Sequence, residues 1–114
     1  MPYATEEELA AAVRVRVTAE NEAGLTACLA AAQAEIDHEV DWTDPTEPHY
    51  PDGDPRSALL NRVNIARGVE WWKANDAAFG VIGTSDTGAL TAPRDGFGRH
   101  RLALSPCKQR WGVA

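Results

Sequence analysis

The side chains that could bind a metal ion are few and widely spaced in this sequence. His38, His49 and His100 lack the i,i+4 spacing with which one helix presents two ligands to zinc. The segment Asp52-Gly53-Asp54 is similar to part of a calcium-binding loop, but the other oxygen ligands of such a loop do not follow. A loop that ends in a helix cap explains it better. The sequence therefore predicts no metal and no cofactor.

A second candidate for chemistry is Asp86-Thr87-Gly88-Ala89, the active-site string of retroviral-type aspartic proteases. Two such aspartates in a homodimer share one proton and act as general acid and base. In those proteases the string follows a buried strand near the start of an all-β chain. Here the polar pair Thr84-Ser85 precedes it, and most of the first 75 residues have a helical pattern. A hairpin turn is the simpler interpretation. The protease stays a minor alternative, and no enzymatic activity is expected.

The 114 residues allow one domain. The two cysteines, Cys28 and Cys107, form no CxxC pair, which favours a cytosolic protein with reduced thiols. No apolar run approaches the roughly 20 residues of a membrane span, and the first residues do not resemble a signal peptide.

Charge is distributed unevenly along the chain. Residues 1–60 hold thirteen acidic against three basic residues, a balance of −10, and residues 61–114 hold four against eight, a balance of +4. An acidic body is poorly suited to coating DNA. The excess of bases near the C-terminus suits docking on an acidic protein surface such as another subunit, although a solvated face explains the charge equally well. The bases concerned are Arg94, Arg99, Arg101, Lys108 and Arg110.

Three helices position these residues. Thr5 and Glu8 form a capping box that begins a short helix reaching Val13 or Val17. A second helix covers roughly residues 20–40, where apolar residues recur every three or four positions and place Cys28 in the core. Asp54 is the expected N-cap of a third helix, with Asn75 as its stop.

The remaining segments are less regular. Prolines make residues 41–55 a long loop, expected to contact a partner through Trp42 and Tyr50. Residues 78–92 are predicted to form a β-hairpin and 97–104 a short helix. The fold class is therefore mainly α: a small bundle of three to four helices with a short β-hairpin and an extended C-terminal tail. Residues 1–104 make one domain, and 105–114 make a docking tail.

Two tryptophan positions bear on contacts with partners. Trp71 and Trp72 point about 100° apart on a helix, so one is expected in the core and the other at a rim or a subunit contact. Trp111 lies near the end of the basic tail, where a pocket on a partner would receive it.

The sequence resembles the head-to-tail adaptor (head completion, or connector) proteins of long-tailed double-stranded DNA bacteriophages, especially those of actinobacteria. The resemblance covers nearly the whole chain and is strongest from residue 58 onward. It is carried by these strings: Ala58-Leu59-Leu60-Asn61-Arg62-Val63-Asn64-Ile65-Ala66, Trp71-Trp72, Phe79-Gly80-Val81-Ile82-Gly83, Asp86-Thr87-Gly88-Ala89-Leu90, Pro93-Arg94-Asp95, Leu104-Ser105-Pro106-Cys107-Lys108 and Arg110-Trp111-Gly112-Val113-Ala114.

This resemblance implies a helical virion protein without enzymatic activity. It implies a ring of twelve copies between the portal protein and a tail-proximal stopper or connector protein, assembled in the host cytoplasm. DNA would pass through the ring without sequence-specific binding, and an acidic body suits such a channel. The alternative is a small helical protein-binding module of a cellular complex.

Overall fold

A computed structural model describes residues 3–43, 50–51, 53–82 and 90–108, and this part of the chain is mainly helical, as predicted. Its helices are α1 (Glu6–Ala12), α2 (Glu22–Val40), α3 (Pro55–Ile82) and α4 (Gly98–Ala103), followed by a 3₁₀ turn at Ser105–Cys107. Within these residues, no helix is both long and apolar enough to cross a bilayer.

Helix α1 has the predicted capping box. Thr5 Oγ1 accepts a hydrogen bond from the Glu8 amide at 3.2 Å, and Glu8 Oε1 accepts one from the Thr5 amide at 3.0 Å. Arg14 follows the helix with φ of 60°, in the left-handed region. The amides of Arg14 and Val15 bond back to the last turn, to the carbonyls of Ala11 and Ala10. This Schellman arrangement ends α1 before Val13 and turns the chain toward α2.

Helices α2 and α3 pack antiparallel and form the body of the protein. Each end of the pair has its own core. The first core cluster joins α1, the first half of α2 and Trp72, and consists of Ala4, Leu9, Ala10, Leu25, Cys28, Leu29 and Trp72. The second core cluster joins the other end of the pair to the C-terminal segment, and consists of Ile36, Val40, Trp42, Tyr50, Leu60, Val63, Phe97, Leu104 and Cys107.

Gly68 lies where α1 and α2 approach α3 closely. A Cβ at this position would lie 3.3 Å from Leu9 Cδ1 and 3.4 Å from Leu29 Cδ2, which is tighter than most real contacts of a methyl group. The absence of a side chain therefore lets the first core cluster close around α3.

Helix α3 begins as predicted but continues past its predicted stop. Asp54 Oδ1 accepts a hydrogen bond from the Arg56 amide at 2.8 Å, the contact expected of an N-cap. Asn75 does not end the helix. Its side chain instead exchanges two hydrogen bonds with the backbone of Thr91, of 2.7 and 2.8 Å, and ties the incoming C-terminal segment to α3.

The predicted hairpin at 78–92 is not supported. Residues 78–82 belong to α3, 83–89 lie outside the described residues, and 90–92 form no strand. Short apolar residues punctuated by glycine suit a strand or a helix end equally, and here residues 78–82 are helical.

The packed body also extends beyond residue 104. Ser105–Cys107 forms a 3₁₀ turn, and both Leu104 and Cys107 are fully buried in the second core cluster. Any separate docking tail therefore begins after Cys107, three residues later than predicted.

Candidate docking surface

Helix α4 presents one face to the core and the other to solvent. Phe97, His100 and Leu104 are buried, and their spacing of three and four residues places them on one side of the helix. The opposite side carries Arg99 and Leu102, and Arg101 lies at its edge toward α2; the side chains of the two arginines are 64% and 63% exposed. Leu102 is 82% exposed, and among the described residues it is the one large apolar residue that is mostly exposed. We call this outer side of α4 the α4 face.

The cations of the α4 face lie above carboxylates of the same chain. Arg99 Nη2 is 3.3 Å from Glu70 Oε2, and Arg101 Nε is 3.1 Å from Glu39 Oε1. The Nζ of Lys108 is 3.2 Å from the other oxygen of Glu39. Because both carboxylates are largely covered, a partner approaching α4 meets the arginines first.

This pairing changes how the uneven charge distribution is interpreted. Glu39 belongs to the acidic first half of the chain and Arg101 and Lys108 to the basic second half, so part of the imbalance is neutralised within the molecule. The bases predicted to dock on another subunit therefore also hold the C-terminal segment on α2. Arg94 is exposed on the segment that leads to α4, and Arg110 and Trp111 lie outside the described residues.

A buried polar network beneath α4 centres on Arg67, whose side chain is only 4% exposed. Its Nε and Nη2 each lie 2.8 Å from an oxygen of Glu35. Its Nη1 donates to Glu70 at 2.6 Å and to the carbonyl of Asp95 at 2.9 Å. A guanidinium that is paired with carboxylates and donates four hydrogen bonds is the form in which arginine is tolerated inside a protein.

Aromatic and imidazole groups complete this network. Trp71 Nε1 donates to Glu35 Oε1 at 2.7 Å, and His100 Nε2 lies 2.9 Å from Glu70 Oε2. The ring of Phe97 lies 5.6 Å from the Arg67 guanidinium carbon. Glu35 of α2, Arg67 and Glu70 of α3, and His100 of α4 are thereby joined, so the network fixes α4 on the helix pair.

The electrostatics of the network favour its charged state. Burial alone would raise the pKa of Glu35, but hydrogen bonds from Arg67 and Trp71 outweigh it and hold the pKa below its usual value. Burial likewise opposes ionisation of Glu70, and hydrogen bonds from Arg67 and His100 lower its pKa. The hydrogen bonds to Glu35 raise the pKa of Arg67.

Sequence reasoning missed this network, although a signal for it existed. One face of the predicted third helix carries Leu60, Val63, Arg67 and Trp71. An arginine on an otherwise apolar face requires a carboxylate partner. The sequence pattern does not reveal which of the seventeen acidic residues supplies the carboxylate that pairs with Arg67. Of the adjacent tryptophans, Trp72 is buried and Trp71 is half-buried at the rim of the core, a division that the angle between them predicts.

Trp42 and Tyr50 are not an exposed contact surface, and that expectation is corrected. Both are buried in the second core cluster, with ring centroids 5.0 Å apart. Trp42 Nε1 donates to Tyr3 Oη at 2.9 Å, and Tyr3 donates to Asp37. The hydroxyl of Tyr50 donates to the carbonyl of Cys107. Trp42 and Tyr50 therefore attach the two ends of the loop to the core. Residues 44–49 lie outside the described part.

Two other candidates for catalysis or metal binding lie outside the described residues: the string Asp86-Thr87-Gly88-Ala89, and His49. In the described part no three ligating side chains come together as a metal site would need. Cys28 is buried as predicted, and burial raises the pKa of its thiol to about 12, so it is an unreactive core residue.

Two shallow grooves lie near the α4 face, one beside α4 and one between α3 and the segment that leads to α4. One, of about 330 Å³, runs between α2 and α4 and is lined by Ala34, Glu35, His38, Glu39, Phe97 and Arg101. The other, of about 250 Å³, is lined by Glu70, Lys73, Ala74, Pro93, Arg94 and Asp95.

Fold and site together define a small helical protein with an exposed cationic helix held over a buried polar network. No protein-family model, curated protein or solved structure matches this chain. Its function is therefore inferred from its own residues.

Proposed function

We propose that this chain is a subunit of a phage head-to-tail adaptor ring, and that it docks through the α4 face onto the portal protein or an adjacent subunit. The ring would extend and seal the DNA channel between the portal and the tail-proximal connector. The role is structural and involves no catalysis.

The observation that carries the proposal is Leu102 on the α4 face. A leucine that is 82% exposed between two arginines contributes nothing to the core of its own chain. Interfaces combine an apolar centre with a polar rim and are enriched in arginine, and Leu102 with Arg99 and Arg101 provides these features on a small scale. The network of Arg67 holds this surface in one orientation, which lowers the entropic cost of binding.

The positions of the resembling strings support the same proposal. The string from Ala58 to Ala66 and the pair Trp71-Trp72 lie on α3, and Leu104-Ser105-Pro106-Cys107-Lys108 spans the end of the packed body. These segments form much of α3 and the base of α4, which help to orient the α4 face. Exposed carboxylates such as Glu7, Glu20 and Glu22 suit a surface along which DNA slides without binding.

The test is retention of the protein on purified, DNA-filled heads that lack it. Wild type should remain bound through sedimentation, whereas Leu102→Asp should reduce retention at least tenfold because it places a carboxylate within the contact. Ala66→Asp is the matched control, since Ala66 is also exposed but lies on α3. Equal retention of wild type and Leu102→Asp, with both folded by circular dichroism, would contradict docking through α4.

The α4 face also favours a second candidate, a helical protein-binding module of a cellular complex. An exposed leucine among arginines would serve any partner with an acidic, partly apolar surface. The genes beside this one discriminate between the two functions. Portal and major capsid genes nearby support the adaptor, and a cellular operon supports the binding module.

A further inference from the structure

Helices α1 and α4 pack on opposite sides of the α2–α3 pair. On α3, Gly68 packs against α1, and Glu70, two residues further on, binds α4. These two positions point about 160° apart around the helix. On α2, Thr26 donates a hydrogen bond to α1 and Glu39 binds α4, and their positions point about 140° apart. The outer sides of α1 and α4 therefore face in opposite directions.

The outer side of α1 is acidic, and the described residues do not cover it. It carries Glu7, Glu8 and Ala11, all of them exposed, and we call it the α1 face. Ala11 lies about one turn after the two glutamates and between them around the helix. Glu8 is engaged in its own capping box, whereas Glu7 forms no hydrogen bond or ion pair with any described residue. Glu7 is therefore available to a cation of another molecule.

The α4 face has the same plan with the opposite charge. Leu102 is its exposed apolar residue, with Arg99 beside it and Arg101 at the edge. A guanidinium carries five N–H donors, so the ion pairs of these arginines with Glu70 and Glu39 leave donors for a partner.

The charge of the surrounding segments is complementary as well. Residues 5–22, which include α1, hold five acidic against two basic residues, a balance of −3. Residues 90–108, which include α4, hold four basic against one acidic residue, a balance of +3. Opposite charges of this kind steer two surfaces toward each other and oppose the pairing of either surface with itself. The α1 face of a second copy therefore fits the α4 face in charge.

We propose that the α4 face of one copy docks on the α1 face of the next, with Leu102 against Ala11 and Arg99 opposite Glu7. This inference rests on the proposed function for the role of the α4 face as a docking surface, and it names a second copy of this chain as the partner.

The contact is heterologous, because the two faces differ and point in opposite directions. Each copy gives one face and receives on the other, and such a contact closes into a ring or continues as an open chain. Glu7 then faces a neighbouring copy, and Glu20 and Glu22 remain as carboxylates for the channel.

The contact between isolated copies should be weak and sensitive to salt. Exposed ion pairs each contribute little, and charges in water are screened within about 10 Å at about 0.1 M salt. Nuclear magnetic resonance of concentrated protein at low salt is therefore the suitable measurement, because it detects a partly formed complex and locates it on the chain.

Two variants of the full chain separate the faces. Leu102→Asp disables the α4 face and keeps the α1 face, whereas Glu7→Lys/Ala11→Lys disables the α1 face and keeps the α4 face. Neither variant should associate with itself. When ¹⁵N-labelled Leu102→Asp protein is mixed with the unlabelled double variant, the amide resonances of α1 should shift. With the labels exchanged, those of α4 should shift, and high salt should reverse both changes.

A matched pair of substitutions tests the role of Glu7. In the Leu102→Asp chain, Glu7→Lys should weaken binding of the double variant about fivefold or more, because an ion pair becomes a pair of like charges. Glu22→Lys makes the same change of charge at an exposed residue of α2, outside the α1 face, and should leave the affinity within about twofold. Circular dichroism shows whether each variant is folded.

Wild type provides the same test without a substitution, because its α1 and α4 resonances should shift together as the concentration rises. Resonances that respond neither to concentration nor to mixing would overturn the proposal. Association of the double variant with itself would do the same, since it pairs α4 with α4. Equal weakening by Glu7→Lys and Glu22→Lys would reduce the contact to unspecific attraction and overturn it as well.

These results are independent of the adaptor role, because neither heads nor portal are present. If copies do not associate but Leu102→Asp still lowers retention on heads, the proposed function stands and the α4 face binds the portal instead. If copies associate but retention on heads does not depend on Leu102, docking onto heads through α4 fails and the contact between copies stands.

Discussion

Arg67 of α3 binds both carboxylate oxygens of Glu35 of α2, through two hydrogen bonds of 2.8 Å each. The same guanidinium also reaches Glu70 and the carbonyl of Asp95, so one buried cation joins α2, α3 and the segment before α4. The orientation of the α4 face therefore depends on a charged network rather than on apolar packing alone.

Replacing Arg67 by methionine should destabilise the protein by about 3 kcal/mol or more, because it leaves two carboxylates without their cation in a mostly buried site. Urea unfolding followed by circular dichroism measures this change. Arg62→Met is the matched control on α3, where the side chain is exposed and the effect should stay within about 0.5 kcal/mol. A loss at Arg67 no larger than at Arg62 would contradict the importance of the network.

Stability should fall in acid because of Glu35 and Glu70. Both have a pKa below the unfolded value, so the stabilisation is present above the unfolded pKa and is lost as pH falls through the folded one. Facing them are the cations Arg67 and Arg99, the imidazole of His100, and Asp95. The free energy of unfolding should decline below about pH 4.5, and Glu35→Gln/Glu70→Gln should show a shallower decline. Parallel curves for the two proteins would refute this assignment.

Tyr50→Phe should lower the free energy of unfolding by about 1 kcal/mol, since it removes the hydroxyl that donates to the carbonyl of Cys107. Trp42→Ala should cost about 3–5 kcal/mol, the usual range for a buried aromatic residue. Thermal or urea unfolding separates the two. Near-neutral effects of both variants would restore the expectation that these side chains form a surface contact.

Gly68→Ala should change stability by less than about 1 kcal/mol, because the helix propensity of alanine offsets a contact of 3.3 Å with the movable end of Leu9. Gly68→Val should destabilise by about 1–3 kcal/mol, since two further methyl carbons cannot fit between Leu9 and Leu29. Equal stability of the two variants would show that α1 moves aside at little cost.

Local signals predicted the helices well. The capping box of Thr5 and Glu8, the apolar stripe of α2 and the N-cap at Asp54 depend on residues only a few positions apart, and each is found as expected. Asn75 does not end the helix, and its side chain bonds both to the carbonyl of Trp71 in the same helix and to the backbone of Thr91, sixteen residues away. A side chain that could cap its own helix can equally bind a distant segment, and the sequence does not distinguish the two.

The candidate site was only partly predictable for the same reason. A basic C-terminal segment is visible in the sequence, but whether Arg101 and Lys108 serve a partner or Glu39 of their own chain depends on the tertiary fold. Proline and aromatic residues marked 41–55 as an unusual loop. They did not indicate that Trp42 and Tyr50 face inward, since aromatic side chains suit a core and an interface alike.

The two core clusters have a consequence for synthesis on the ribosome. The buried residues of the first cluster are all present in the chain up to Trp72, whereas the second also needs Phe97, Leu104 and Cys107. At 5–20 residues per second, the roughly 35 residues that separate Trp72 from Cys107 take about 2–7 s to synthesise. Until those residues have been added, Leu60 and Val63 have no C-terminal partner to cover them, so the second core cluster closes only after the C-terminal segment has been made.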